Sequence, residues 1–313
     1  MPSPPESVLR AFGAQGEPAR LTGGRVTAWR VGEVVLKPLD MSVPELEWQA
    51  RVLSEIAGDD VRVAPPLRSR CGALVVDGWT GWPYLDGRHA PRWTEVIDAG
   101  QRLHAALVTV PRPSHLFDAR LHHWARADRV AWGEASDPEI PAGSDLAWLL
   151  KARRPIPLPG QLIHGDLSGN VLLADGQPPA VIDFSPYWRP KEYATAIVLV
   201  DAVVWHDADP QLLELLLPRD DETQLLIRAA IFRLLSDSDP AAGRRTLRPA
   251  RQSSARSRPP SVNRLPLPRR PRVPQPMELA SLASAFDLRP ERSGRSLSNP
   301  DGSDGRWQRK ICI

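Results

Sequence analysis

Between residues 21 and 88 the apolar positions come in short runs, 25–31, 33–36, 62–67, 73–76 and 79–85, each closed by turn residues. Runs of that length and punctuation predict strands of a small antiparallel sheet. One stretch departs from the texture: over 43–56, Leu46, Val52, Leu53 and Ile56 form an apolar stripe, and Pro44 sits in the first turn, where its missing N–H is no loss. The run is therefore a helix. After residue 88 the apolar period lengthens. Val96, Ile97, Leu103 and Leu107 predict a helix over 93–108, a less regular helical stretch passes Trp124 and Trp148, and helical texture returns at 192–205, 211–217 and 222–235. Inside this helical region, 171–173 and 181–184 read as short strands joined by Ala174-Asp175-Gly176-Gln177-Pro178-Pro179, a hairpin. The predicted class is α+β in two lobes: an N-terminal extension (1–20), a small antiparallel sheet lobe with one helix (21–88) and a larger, mainly helical lobe (89–236).

From 237 to 313 the periodicity stops and Arg, Pro and Ser dominate, a composition too poor in apolar residues to build a core. Two readings stay open for it, a disordered basic tail and out-of-frame translation beginning near Pro240. The segment also distorts the charge of the whole. Residues 241–313 carry 16 Lys+Arg against 5 Asp+Glu, net +11, which leaves 24 against 32, net −8, for residues 1–240. The basic balance belongs to the tail, so no nucleic-acid partner is expected for the folded part. Cys71 and Cys312 are the two cysteines, without CxxC spacing, which argues against a disulfide framework or a zinc site. Residues 1–20 hold no apolar leader, and the longest apolar stretch, 196–205, is interrupted by Asp201. No membrane partner and a cytoplasmic location are expected.

The chemistry concentrates in Ile163-His164-Gly165-Asp166-Leu167-Ser168-Gly169-Asn170-Val171-Leu172-Leu173 and, past the hairpin turn, Val181-Ile182-Asp183-Phe184-Ser185. A hairpin here returns the chain so that Asn170, entering its first strand, lies near Asp183, leaving its second. An amide oxygen and a carboxylate then face one open end, with the Asp166 carboxylate beside them. Hard oxygen donors on a rigid hairpin suit Mg²⁺, which takes one or two carboxylates plus substrate phosphates. A neighbouring carboxylate suits proton removal from a hydroxyl. Those are the parts that phosphoryl transfer needs.

This paired motif resembles the catalytic and metal-binding loops of the aminoglycoside phosphotransferase-like family, which has the protein-kinase-like fold; actinobacterial members are nearest in texture. The resemblance spans about residues 20–235. It implies ATP and Mg²⁺ as cofactors, Asp166 as catalytic base, Asn170 and Asp183 as metal ligands, and His164 as a loop-orienting residue. It also makes the strand Glu33-Val34-Val35-Leu36-Lys37 similar to the one whose lysine pairs the nucleotide phosphates. Composition bears on that lysine: the chain has four lysines, Lys37, Lys151, Lys191 and Lys310, against 36 arginines. A cationic surface position would ordinarily be Arg, so Lys37 reads as a phosphate partner, with a solvated edge lysine as the alternative. Gly23 and Gly24 are candidates for the turn over the phosphates, although a Gly-Gly turn is also ordinary hairpin chemistry. Of Glu45, Glu47 and Glu55 on the predicted helix, Glu47 is chosen as the partner of Lys37. Trp82-Pro83-Tyr84-Leu85-Asp86-Gly87 falls where the family has its interlobe hinge, and Pro83 lacks an N–H, so Tyr84 or its neighbours would have to donate to adenine.

Two departures stand out. Most of the family has an i to i+5 step from the base to the asparagine, and Asp166 to Asn170 is i to i+4. The metal loop reads Asp183-Phe184-Ser185 rather than Asp-Phe-Gly. These keep a nucleotide-binding module without catalysis as the alternative to an ATP-dependent phosphotransferase acting on a small-molecule hydroxyl. Trp124, Trp132, Trp148, Trp188 and Trp205 are read either as an acceptor pocket or as core, and His104 as packing.

Overall fold

In the computed structural model the described residues are 2–21, 28–56, 60–141, 143–215 and 220–237. Gly23, Gly24, residues 25–27 of the first predicted strand and everything from 238 onward lie outside them.

The chain opens with α1 (Glu6–Phe12), ended by Gly13 in the left-handed conformation. Then come β1 (Ala19–Arg20), β2 (Trp29–Val31), β3 (Val34–Pro38), α2 (Val43–Glu55), β4 (Arg62–Val63), β5 (Val75–Val76) and β6 (Trp79–Pro83). Five of the strands make an antiparallel sheet in the order β1-β2-β3-β6-β5. Val8 and Phe12 of α1 are buried with Val31, Leu36 and Trp79, so the segment read as an extension covers one face of the sheet. Helix α2 starts where Ser42 Oγ accepts the Glu45 N–H at 3.4 Å, with Pro44 in its first turn. It buries two faces: Leu46 and Ala50 pack on Leu74 and Trp82 of the small lobe, and Trp48, Val52 and Leu53 join the main core.

The large lobe contains α3 (Trp93–Ala106), α4 (Ser114–Phe117), α5 (His123–Trp132), α6 (Asp145–Ala152), β7 (Gln161–His164), β8 (Val171–Leu172), β9 (Ala180–Val181), β10 (Pro186–Arg189), α7 (Lys191–Trp205), a 3₁₀ turn (Pro210–Leu215) and α8 (Asp220–Asp237). At its centre, α7 is buried at every residue from Tyr193 to Val204. A helix enclosed on all sides carries no polar stripe, which is why its pattern reads as a continuous apolar run. Among the described residues no helix is long and apolar enough to cross a membrane.

Three elements depart from the expected pattern. The 62–67 run does not enter the small sheet as a strand: β4 pairs in parallel with β9 of the hairpin, and Arg62 donates to the carbonyls of Pro178 and Asp86 at 2.9 Å each. The hairpin's second strand ends at Val181 and gives way to a turn in which Asp183 has φ +51°. The pairing of β10 with β7, Pro186 opposite His164, had no apolar signature because Pro186-Tyr187-Trp188-Arg189 does not alternate.

Candidate active site

Strand β7 delivers His164, fully buried, to the start of the loop. The Asp166 N–H donates to His164 Nδ1 at 3.1 Å, which leaves the ring proton on Nε2 to reach Ile182 O at 3.2 Å. The imidazole thus ties the Asp166 loop to the residue before Asp183. Behind it, His104 of α3, also buried, accepts the His164 N–H at Nε2 (3.1 Å). Burial, helped by the Lys191 charge and by repulsion from any proton on His164, lowers the His104 pKa to about 3. Burial likewise holds His164 below the ordinary histidine range. Both rings are therefore neutral fixtures rather than proton carriers.

The short loop closes without strain on a side chain because Gly169 takes φ +82°. Asn170 N–H donates to Leu167 O at 2.9 Å, and its side-chain Nδ2 donates to Asp166 O at 2.7 Å. That bond orients the amide and presents Oδ1 on the opposite side. Across the hairpin, Ile182 N–H donates to Asn170 O at 3.0 Å. Gly165 is demanded by close approach, since a Cβ there would stand 2.4 Å from the Tyr187 ring.

In its left-handed turn Asp183 points outward, 58% exposed, while Phe184 turns in, edge-on to His164 at 5.6 Å. Its Oδ1 accepts from Lys37 Nζ at 2.9 Å; the same ammonium lies 3.3 Å from Asp40 and 5.0 Å from the Trp82 ring. Desolvation opposes both charged forms, but the attraction between them wins: Asp183 is held below the usual carboxylate range and Lys37 above the usual lysine range. Lys37 thus reaches Asp183 from the sheet lobe, and Ile182, the residue before Asp183, is bonded to Asn170, whose amide holds the Asp166 backbone; the opening beside these four residues is the candidate mouth.

Two expected nucleotide contacts are corrected. Glu47 is exposed and lines a surface groove with Arg51, Arg68 and His115, whereas Lys37 pairs with Asp40 and Asp183. Helical spacing turns Glu47 away from the sheet, and the first-turn Glu45 pairs instead with Arg120 at 2.5 Å. Tyr84 N–H is engaged already, donating to Glu33 O at 2.8 Å, and Arg30 covers its ring at 3.4 Å. Trp124, Trp132, Trp148, Trp188 and Trp205 are partly buried against the main core. Trp132 is edge-on to Tyr193, with Arg189 and Arg228 over its ring.

The pattern alone missed the groups that brace this mouth. Arg233 of α8 donates to Asp166 Oδ1 at 2.7 Å and to both carboxylate oxygens of Asp201, at 2.7 and 2.6 Å. Arg120 donates to Glu45 and to Pro186 O, joining α2 to the residue after Ser185. The signal available beforehand was Asp201, a lone carboxylate in an apolar helix, which asks for a buried cation.

Residues 24–187 match the model of the phosphotransferase enzyme family. No functionally curated protein matches the sequence. Among solved structures, spectinomycin phosphotransferase APH(9)-Ia, in complex with ADP and spectinomycin, is 13% identical over 74% of this chain and 84% of its own, with a TM-score of 0.50. The GDP and kanamycin complex of APH(2")-IIia is 14% identical over 73% of this chain and 88% of its own, also at 0.50. At such identities the likeness speaks for the fold. With more than half of its residues matched, the chain belongs to the phosphotransferase enzyme family, and its likeness to those structures gives it the protein-kinase-like fold.

Proposed function

We propose that the protein transfers the γ-phosphoryl group of ATP to a hydroxyl of a small molecule. The observation that carries this reading is the meeting of Lys37 with Asp183 at 2.9 Å beside the loop that bears Asp166 and Asn170. A compact cation from the sheet lobe suits the α- and β-phosphates. The Asp183 carboxylate and the Asn170 amide oxygen, joined through the Ile182 N–H to Asn170 O bond, are hard donors of the kind Mg²⁺ accepts and would hold that ion. Magnesium completes its shell with phosphate and water, so a full protein cage is not required. When bound, it neutralises phosphate charge.

The remaining work falls to the chain's own residues. Asp166, with its side chain 43% exposed, faces the mouth and takes the acceptor's proton as the new O–P bond forms and the bond from γ-phosphorus to the bridging oxygen of ADP breaks. Charge balances: the proton rests on Asp166, the phosphoryl on the acceptor, and ADP leaves. The net charge of −8 over residues 1–240 is compatible with a cationic acceptor, and spectinomycin and kanamycin, the small molecules bound in the two similar structures, head the panel together with other aminoglycosides. A supply of Mg-ATP fits a cytoplasmic location. The shortened loop closes through Gly169 with Asn170 held to the Asp166 backbone, which supports the catalytic reading over the non-catalytic alternative at that departure.

The test is ADP release from Mg-ATP by the full chain over a panel of hydroxylated acceptors, beginning with aminoglycosides. Asp166→Ala is expected to cut turnover about 100-fold or more while Mg-ATP still raises the unfolding midpoint. Unchanged turnover would remove Asp166 from this role.

A further inference from the structure

Asp201 and Arg233 lie outside residues 24–187, so the family match says nothing about either. Both are nearly enclosed: the Asp201 side chain is 8% exposed and that of Arg233 13%. Arg233 uses Nε and Nη2 for Asp201, a forked arrangement that leaves the planar guanidinium with no freedom to swing. The same Nη2 reaches on to Asp166 Oδ1, which is the half-exposed end of the chain of charges. A buried pair that served only to fasten α8 to α7 would be complete without that third contact.

We propose that Arg233 is a positioning residue for Asp166, held in place by Asp201. By fixing Oδ1 it sets the rotamer of the carboxylate and turns Oδ2 toward the mouth where Asn170 and Asp183 converge. Asp201 keeps the guanidinium from collapsing onto Asp166 as a closed pair, since its charge is already shared. A carboxylate aimed in advance does not have to be ordered when the acceptor arrives. This inference rests on Asp166 being the base of the proposed reaction, and the experiment separates the two.

Removing Arg233 alone strands a buried carboxylate, so the chosen variant replaces both members with apolar side chains, Arg233→Met with Asp201→Leu. Turnover of Mg-ATP with the best acceptor from the panel, or with water if none is found, is measured in this variant, in Asp166→Ala and in the combination. The double replacement is expected to lower kcat about 10- to 100-fold, with the Mg-ATP-induced rise in unfolding midpoint retained. In the Asp166→Ala background it should add less than about twofold, because residues acting as one unit are not additive. Arg233→Lys keeps the buried charge and decides the matter if the double variant does not fold: an ammonium cannot hold two carboxylates in the fork, so kcat should again fall. Wild-type kcat in a folded Arg233 variant, or an equal loss in both backgrounds, overturns the inference while leaving Asp166 as the base. Turnover undiminished in Asp166→Ala, or absent from the native chain, removes the reaction itself and the inference with it.

Discussion

Lys37 and Asp183 hold each other across the lobes, two charges paired in partly desolvated surroundings. In the proposed reaction, phosphates and a cation entering between them would replace one attraction with two. Lys37→Met removes a charged hydrogen-bond donor, of a kind that contributes about 1.5–3 kcal/mol. The Mg-ATP dissociation constant, read by titration of the full chain, should then rise by about 10- to 100-fold; a change below twofold would make Lys37 an ordinary edge lysine. The closeness of Asp166, Asn170 and Asp183 on one loop and hairpin was legible from the apolar runs and turn residues around them, whereas Lys37 was singled out by the family resemblance and the scarcity of lysine; the roles of all four stay proposals. Arg233 was not legible: it meets Asp166 only through the way α8 packs on α7, and no spacing within one element encodes that meeting. Glu47 was misjudged for a related reason. Helical periodicity says which residues share a face but not which face meets the sheet.

At the scale of elements, the Asp166 loop is held by a relay that starts in α3, where His104 receives the His164 N–H, and runs through His164 to the backbone of Asp166 and Ile182. The relay depends on neutral rings. His104 has a folded-state pKa of about 3 against an ordinary 6.5, so below pH 6.5 the unfolded chain takes up a proton that the folded one refuses. Its contribution is therefore intact above pH 6.5 and is lost as pH falls from 6.5 toward 3. His104→Gln keeps an acceptor for the His164 N–H and removes that titration. Between pH 7 and pH 5 the native chain should lose about 2 kcal/mol more stability than the variant, measured by urea unfolding; parallel losses would show that His104 is not held neutral. The hairpin that carries Asn170 and Asp183 and the helices on either side were readable from apolar period and turn residues. Strand β10 was not, and β4 was assigned to the wrong sheet, because short pairings without alternation leave no period to detect.

For the molecule as a whole, the two lobes meet at contacts that also shape the site. Helix α2 buries Trp48, Val52 and Leu53 in the core of the helical lobe, β4 adds a parallel strand to the β8-β9 hairpin, and Arg120 bridges Glu45 to Pro186 O. The Arg120 pair is nearly enclosed, with side chains 9% and 15% exposed, so its geometry is set by packing rather than by solvent. These joints place the lysine of one lobe against the aspartate of the other, and they were invisible in the sequence because each joins residues far apart in the chain. The proposed chemistry needs a metal-bound nucleotide at the place where they bring Lys37 and Asp183 together, and it stands or falls on that occupant. Its presence is read most directly from the thermal unfolding midpoint of the full chain with ATP alone, Mg²⁺ alone and both together, in the native protein and in Asp183→Ala. The expected result is a rise that needs both components and disappears in Asp183→Ala, since a ligand bound only by the folded state must raise the midpoint. A cooperatively unfolding native protein whose midpoint is the same in all conditions would contradict it.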